Sequence, residues 1–351
     1  MEPVELLYKN FARQILWRME PDKSHSIGQK IYEKSEILLR LLQNYLYVDD
    51  PRLRTEIFGR QLSDSLILAA GWDKDGDITR AMIYSGFRNI ILGSVKPYFD
   101  AGNNRPWFDR KAEGAEFYNS PGLPSKGKEY VAGKVKEWWP QWRDRVTLFI
   151  SYAGNSVEQI LEVDRALNNL CHMREVDASC PNTSDGKFFE QNPEILKETI
   201  NALNAQRKMP TFIKISPDYV PDKESELANL VKICLDTNTG IDSANTRVQY
   251  NERLKRNAGL SGPQLYESTK KQVKFIYRLT EEEIPLIGTG GIESGKQAQE
   301  IIGYGCNGLG TVSSLFTRGF TAKRNIILEL LEYLKKGPYH SVEELRGKLL
   351  T

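Results

Sequence analysis

Hydrophobic positions follow two regimes along the chain. Up to residue 48 they recur at helical spacing: Val4, Leu7, Tyr8, Phe11 and Ile15, then Ile27, Ile31, Leu38, Leu41, Leu42 and Tyr45. The stretch EPDKSHS, with Pro21 as the breaker, separates the two runs. This pattern predicts a helical hairpin packed on a main domain, or a membrane-surface anchor with a tunnel for a lipophilic partner. From residue 67 onward short β-like runs alternate with helical stretches. The runs are LILAA (66–70), NIILGS (89–94), VTLFIS (146–151), REVDAS (174–179), TFIKIS (211–216), GIDSAN (240–245), PLIGTG (285–290) and GLGTVS (308–313). Helices are predicted between most of them, for example over 193–207, 222–235, 265–280 and 294–303.

Eight alternating units predict an α/β fold, a (β/α)8 TIM barrel over residues 49–351 with a small helical extension at 1–48. A doubly wound open sheet is the structural competitor. Several runs end in small or polar residues, such as GWDK, SCPN, KISP, ANT and GTGG. A barrel gathers such ends on one face, where barrel chemistry is done. The stretch 95–145, with GNNRP, FYNSPGLPSKG and Trp138, Trp139 and Trp142, is too long for a plain connector and is expected to cover that face.

Composition narrows the choices. Formal net charge is +2, from 48 basic and 46 acidic residues among 351; it gives no electrostatic argument for nucleic acid, and no nucleic-acid partner is expected. The four cysteines, Cys171, Cys180, Cys234 and Cys306, form no CxxC pair and no metal-ligand motif, so no metal site is expected. No apolar run approaches the roughly 20 residues that span a bilayer. A cytoplasmic protein is expected, peripheral at the inner face of the membrane if residues 1–48 touch it.

The run ends carry candidate chemistry. GTGG (288–291) and TVSS (311–314) stand after the seventh and eighth runs, where barrels commonly bind phosphate, and Ser261 and Gly262 could add donors. Lys214, inside an apolar strand, would reach the barrel mouth as a fixed cation. Lys74 stands after the first run. Asn119, Asn182 and Asn245 offer paired donors and acceptors to a planar heterocycle if the fold brings them together. Cys180 could be a buried filler, half a disulfide, a metal ligand or a base.

In this order AAGWDKDG, GSVKP, GNNRP, NSPGLP, SCPNT, IKISP, ANT, GLSG, GTGG and TVSS resemble the dihydroorotate dehydrogenases over about residues 50–335. RMEPDKSH and DPRLRTEIFG resemble the membrane-associated, quinone-using class of that family. The resemblance implies an FMN enzyme of pyrimidine biosynthesis that oxidises dihydroorotate to orotate, with a quinone or another electron acceptor. It implies Cys180 as the base at C5, with hydride passing from C6 to flavin N5. Ala70, Gly71, Ser94, Ser151, Asp177, Lys214, Ser261, Gly262, Gly290, Gly291, Val312 and Ser313 correspond to FMN-contacting positions. Lys74, Asn119, Gly122, Leu123, Asp177, Asn182, Asn245 and Thr246 correspond to substrate-contacting positions.

The chain departs from the pattern in four places. Cys180 and the NSPGLP loop resemble the soluble class, in contrast to the quinone-class N-terminus. Asp177 stands where the family generally has asparagine, and Ser151 where asparagine is common in the quinone class. Asp177 loses an N–H2 donor and, if ionised, opposes an anionic substrate. Two other readings follow: an FMN oxidoreductase for a different pyrimidine or an enone-like substrate, and a catalytically silent flavin-binding scaffold.

Overall fold

A computed structural model describes residues 2–111, 113, 115–179 and 188–350 of the chain. Cys180 and Asn182 lie outside the described residues. The eight apolar runs form eight parallel strands: Leu66–Leu68, Asn89–Val95, Thr147–Tyr152, Met173–Asp177, Thr211–Lys214, Gly240–Asp242, Leu286–Thr289 and Gly308–Thr311. Each pairs with the next in sequence, and the eighth closes on the first with Gly310 opposite Ile67. The closed sheet decides against the open, doubly wound alternative.

Strand alternation builds two cores from one pattern. Leu148, Ile150, Val176, Ile213, Ile241 and Leu309 face outward and pack with the helices. Ile67, Ile91, Phe149, Met173, Phe212 and Ile287 face inward and fill the barrel. A short hairpin, Thr55–Ile57 with Arg60–Leu62, contributes Ile57 and Leu62 to that inner core. The predicted helices form close to their expected bounds, at Pro193–Gln206, Glu224–Asp236, Tyr266–Thr280 and Gly295–Gly303. Pro193 begins the first of these and Ser294 caps the last, its hydroxyl accepting from Gln297 N.

Two expectations need correction. EPDKSHS is no separator, because Pro21 occupies the first turn of a helix, Pro21–Lys34, and only Met19 and Glu20 break the path. Glu20 caps this helix by accepting from Lys23 N at 3.2 Å. The tryptophan cluster does not cover the mouth. Trp138, Trp139 and Trp142 lie on a barrel helix, Lys128–Trp142, and are buried in the outer core. Their helical spacing was masked by the preceding irregular sequence.

What covers the strand ends is an antiparallel sheet drawn from two connections. Phe108–Lys111 and Glu116–Asn119 pair with Arg256–Ser261, which pairs with Arg247–Asn251. The N-terminal helices lean on this sheet. The Asp22 carboxylate accepts from the backbone N–H groups of Trp107 and Phe108 at 3.1 and 3.0 Å.

The first helical segment runs Pro3–Leu7, then through a π turn, Tyr8–Ala12, to Arg18. It is fastened to the barrel by buried Glu5, which accepts from Arg318 Nε at 2.7 Å, Arg318 Nη2 at 2.8 Å and Asn325 Nδ2 at 2.6 Å. Burial alone would raise the Glu5 pKa, but the bonds to Arg318 and Lys9 outweigh it and bring it to about 2. Leu7, Phe11, Ile15, Ile37 and Leu41 remain exposed on these helices. No helix among the described residues is long and apolar enough to cross a membrane.

Candidate active site

A single cavity of about 830 Å3 runs from the N-terminal helices, past the antiparallel sheet, to the carboxyl ends of the barrel strands. Its outer part is apolar, with Leu7, Phe11, Leu38, Leu42 and Phe320 among its walls. Its inner part is polar and ends on Lys214 and Asp177. Such a volume suits a cofactor-sized ligand.

Sequence-predicted residues converge there. Ala70, Gly71, Ser94, Lys214, Ser261, Gly262, Gly290, Gly291, Val312 and Ser313 all line the cavity. So do Lys74, Asn119, Leu123, Asp177, Asn245 and Thr246. Ser151 is buried behind the wall, its hydroxyl 3.0 Å from that of Ser94. Gly122 belongs to the adjoining turn. Its φ is +75°, and a Cβ there would stand 2.6 Å from the Asn103 side chain, so only glycine fits.

Each polar side chain is held by its element. Asn119, on the antiparallel sheet, donates to Gly259 O at 3.0 Å. Asn245, just past the sixth strand, accepts from Thr246 N at 2.8 Å and donates to Asp177 Oδ1 at 3.1 Å. Asp177 Oδ2 accepts from the Ser94 hydroxyl at 2.9 Å. Ser179 donates to Lys214 O at 3.0 Å, which fixes the chain leading to Cys180 against the fifth strand.

The electrostatics follow from burial. Asp177 is 8 % exposed, and desolvation raises its pKa despite Lys214, Ser94 and Lys74 nearby. Lys214 is driven above its ordinary range because Asp242, Glu175 and Asp177 outweigh the cost of burying its ammonium. Lys214 Nζ lies 3.3 Å from Asp242 Oδ2, an ion pair without hydrogen-bond geometry. Further out, His25 stacks on Phe108 with ring centroids 4.2 Å apart. Burial, then Lys74, lowers the His25 pKa to about 4, so the imidazole is neutral at pH 7.

Residues outside the sequence reading also shape the site. His25, Trp72, Arg110 and Phe316 line the cavity, and Glu175 and Asp242 stand under its floor. The signal for the two acids was strand alternation: Glu175 follows inward Met173 by two residues. His25 was hidden by treating its segment as a linker.

The wall is suited to a flavin nucleotide. Gly71 has φ +107° and nothing within 4 Å of a built Cβ, leaving backbone open to a flat ligand. The Thr289 hydroxyl, 9 % exposed in the wall, has no hydrogen-bond partner among the described residues. Two successive glycines with positive φ, Gly290 and Gly291, turn the chain at the seventh strand end, a position that binds phosphate in many barrels. No group of His, Cys, Asp and Glu among the described residues could hold a metal ion.

A closed α/β barrel with a deep, half-apolar cavity at its strand ends has the form of a barrel enzyme's ligand site. The dihydroorotate dehydrogenase family profile matches residues 52–334, and the chain belongs to that family. It is 26% identical over 348 residues to the "Dihydroorotate dehydrogenase (quinone)" of Nitratiruptor sp., covering 95% of this chain and 97% of that one. The protein of the same name from Acidithiobacillus ferrooxidans is 27% identical over 357 residues, with 95% and 98% covered. Among solved structures, that of the Eimeria tenella enzyme in complex with ferulenol shares the fold, with TM-score 0.83 at 24% identity and coverage of 94% and 95%.

Proposed function

We propose that this oxidoreductase converts dihydroorotate to orotate with FMN, and passes electrons to a quinone that enters beside residues 1–48. The observation carrying this reading is the continuity of one cavity, which joins the positions implied for FMN and substrate to the N-terminal helices. FMN, when bound, supplies the hydride acceptor. Gly290, Gly291, Val312 and Ser313 hold its phosphate, and Lys214 supports negative charge on its ring. Asn119, Asn182 and Asn245 orient the substrate ring, and Cys180 takes the proton from C5.

Anaerobic addition of dihydroorotate to the flavin-loaded protein tests this reading. Rapid bleaching of the yellow colour is expected. Bleaching only by other dihydropyrimidines would transfer the activity to a different substrate. Bleaching by none, with dithionite still effective, would leave a flavin-binding scaffold.

The acceptor route has its own test. Gly28 lines the cavity, and a Cβ there would touch Trp72 at 3.6 Å. Gly28→Phe fills the apolar arm. Quinone-linked turnover is expected to fall at least about tenfold, equivalent to ~1.4 kcal/mol of lost acceptor binding. Turnover with a soluble dye should stay unchanged. Equal losses with both acceptors would place quinone elsewhere.

A different substrate is favoured by one observation. Asp177 receives three hydrogen bonds, from Ser94, Asn245 and the backbone N–H of Ser179, as an acceptor-only carboxylate does. Orotate is anionic, so ionised Asp177 weakens its binding. Because burial raises the Asp177 pKa, its neutral fraction grows as pH falls, and orotate should bind wild type more tightly in acid. Asp177→Asn is expected to tighten orotate binding about tenfold at neutral pH, ~1.4 kcal/mol, and to flatten that dependence. Calorimetric titration from pH 5 to 9 would show it. No gain at any pH means that the carboxyl is neutralised in wild type.

A further inference from the structure

The barrel interior below the cavity holds more acid than its base can neutralise. Glu175 and Asp242 are fully buried, Asp177 is 8 % exposed, and Lys214 is 5 % exposed. Lys214 stands in register with Asp177 on the fourth strand and Asp242 on the sixth. Glu175 is in register with Ser151 on the third strand and Phe212 on the fifth. Glu175 also lies within electrostatic reach of Asp242, as does the buried thiol of Cys306 in the outer core. With every group charged, Glu175, Asp242 and Asp177 would crowd around the Lys214 ammonium, with Lys74 offsetting only Asp177 at the cavity wall.

Hydrogen-bond chemistry resolves the imbalance. Neither oxygen of Glu175, and neither of Asp242, makes a hydrogen bond of good geometry among the described residues, although the Ser151 hydroxyl acts on Glu175 to lower its pKa. A carboxylate only accepts, so two that face each other cannot satisfy one another. A single proton turns one of them into a donor and removes a charge from the low-dielectric interior. Lys214 then balances one carboxylate of the pair, and Asp177 is held by Ser94 and Asn245.

We propose that Glu175 and Asp242 hold one proton between them at neutral pH, and that this pair sets the positive charge Lys214 presents to the cofactor. The second half rests on the flavin reading given above; the first half does not. Glu175 is thus a positioning residue that acts through Lys214 and touches neither substrate nor cofactor. The pair stands on the fourth and sixth strands of the closed barrel with Lys214 on the fifth between them, so its geometry is preset before any ligand arrives.

Linkage gives the sign of the pH dependence. Burial first, and Asp242 second among the raising influences, lift the Glu175 pKa to about 8 against the pull of Lys214. The proton is therefore present at pH 6 and leaves as pH rises past about 8. Its departure adds a negative charge beneath Lys214 and lowers the potential of a bound flavin.

Infrared spectroscopy of the protein before flavin is added tests the first half. Wild type should show the C=O stretch of a buried carboxylic acid at pH 6, absent in Glu175→Gln. Asp242→Asn, which removes the like charge beside Glu175, should move the loss of that band to lower pH. A band unchanged in both variants overturns the shared proton.

Dye-equilibrated potentials of the flavin-loaded proteins test the second half. Glu175→Gln replaces a neutral group with a neutral group, so its potential should equal wild type at pH 6 and lie above it at pH 9. An equal displacement at both pH values means that Glu175 is ionised throughout and overturns the proposal. Failure of the flavin reading looks different: wild type would bind no flavin, while the infrared result would still stand or fall alone.

Discussion

Cys180→Ala is expected to slow reduction of the bound flavin by dihydroorotate about 100-fold or more, the usual scale for losing a general base. Flavin content and dithionite reduction should be unchanged, because Gly290, Gly291, Val312, Ser313 and Lys214, proposed to hold the FMN phosphate and support its ring, lie on other segments. The argument starts from thiol chemistry. An ordinary cysteine titrates near ~8.5 and only its thiolate accepts a proton well. Reduction by wild type should therefore quicken as pH rises toward that value. Ser179, immediately before Cys180, is buried and tied to Lys214 O and to Asn245. That ties Ser179 to two residues of the cavity's polar end. Stopped-flow absorbance under anaerobic conditions reads the rate. Cys180→Ser should retain part of the activity and move the pH profile upward, since a hydroxyl ionises far less readily than a thiol. Equal rates for alanine variant and wild type would remove Cys180 from the chemistry.

Legibility in the sequence followed physical cause. The eight strands could be read because each is buried on both faces and appears as a short apolar run between turn signals. Barrel closure could be read because the runs end in glycine, serine, lysine and asparagine, residues that serve a ligand better than a core. The antiparallel cover sheet could not be read in this way. Its strand Arg247–Asn251 is RVQYN, mostly exposed, and lacks an apolar face. Its pairing with Arg256–Ser261 depends on contacts between distant segments. The helix beginning at Pro21 was missed for a local reason: proline breaks a helix from inside and starts one from its first turn, and periodicity alone does not distinguish the two. Glu175 and Asp242 were missed because an acid in a strand reads as a solvent-facing position until the inner face is known. Only the closed barrel turns them inward. The polar end of the cavity was more legible, since the strand ends themselves build it.

Lys214→Met should be the most damaging of these substitutions to the fold. The side chain keeps its length and loses its charge, leaving Asp242, Glu175 and Asp177 around an apolar tip. Removing one partner of a buried ion pair costs about 3–5 kcal/mol, because the remaining charge has neither water nor counter-ion. The variant can recover part of this by protonating a second carboxyl. That response fixes the pH dependence. A carboxyl whose pKa is higher in the folded than in the unfolded chain binds protons preferentially in the folded state, so stability falls as pH rises between the two values. The deficit of Lys214→Met relative to wild type should therefore be smallest near pH 5 and grow toward pH 8. Urea midpoints measured at several pH values would display this trend. A deficit that stays constant with pH would mean that the loss comes from packing, and that Lys214 does not balance the acids around it. Flavin binding adds an independent reading at pH 5, where the variant is most stable: loss of FMN there, with an intact fold by circular dichroism, separates support of the cofactor from support of the barrel. Lys214→Arg keeps the charge but carries a planar fork into a space shaped for one nitrogen, so it should restore the pH trend more fully than it restores FMN affinity.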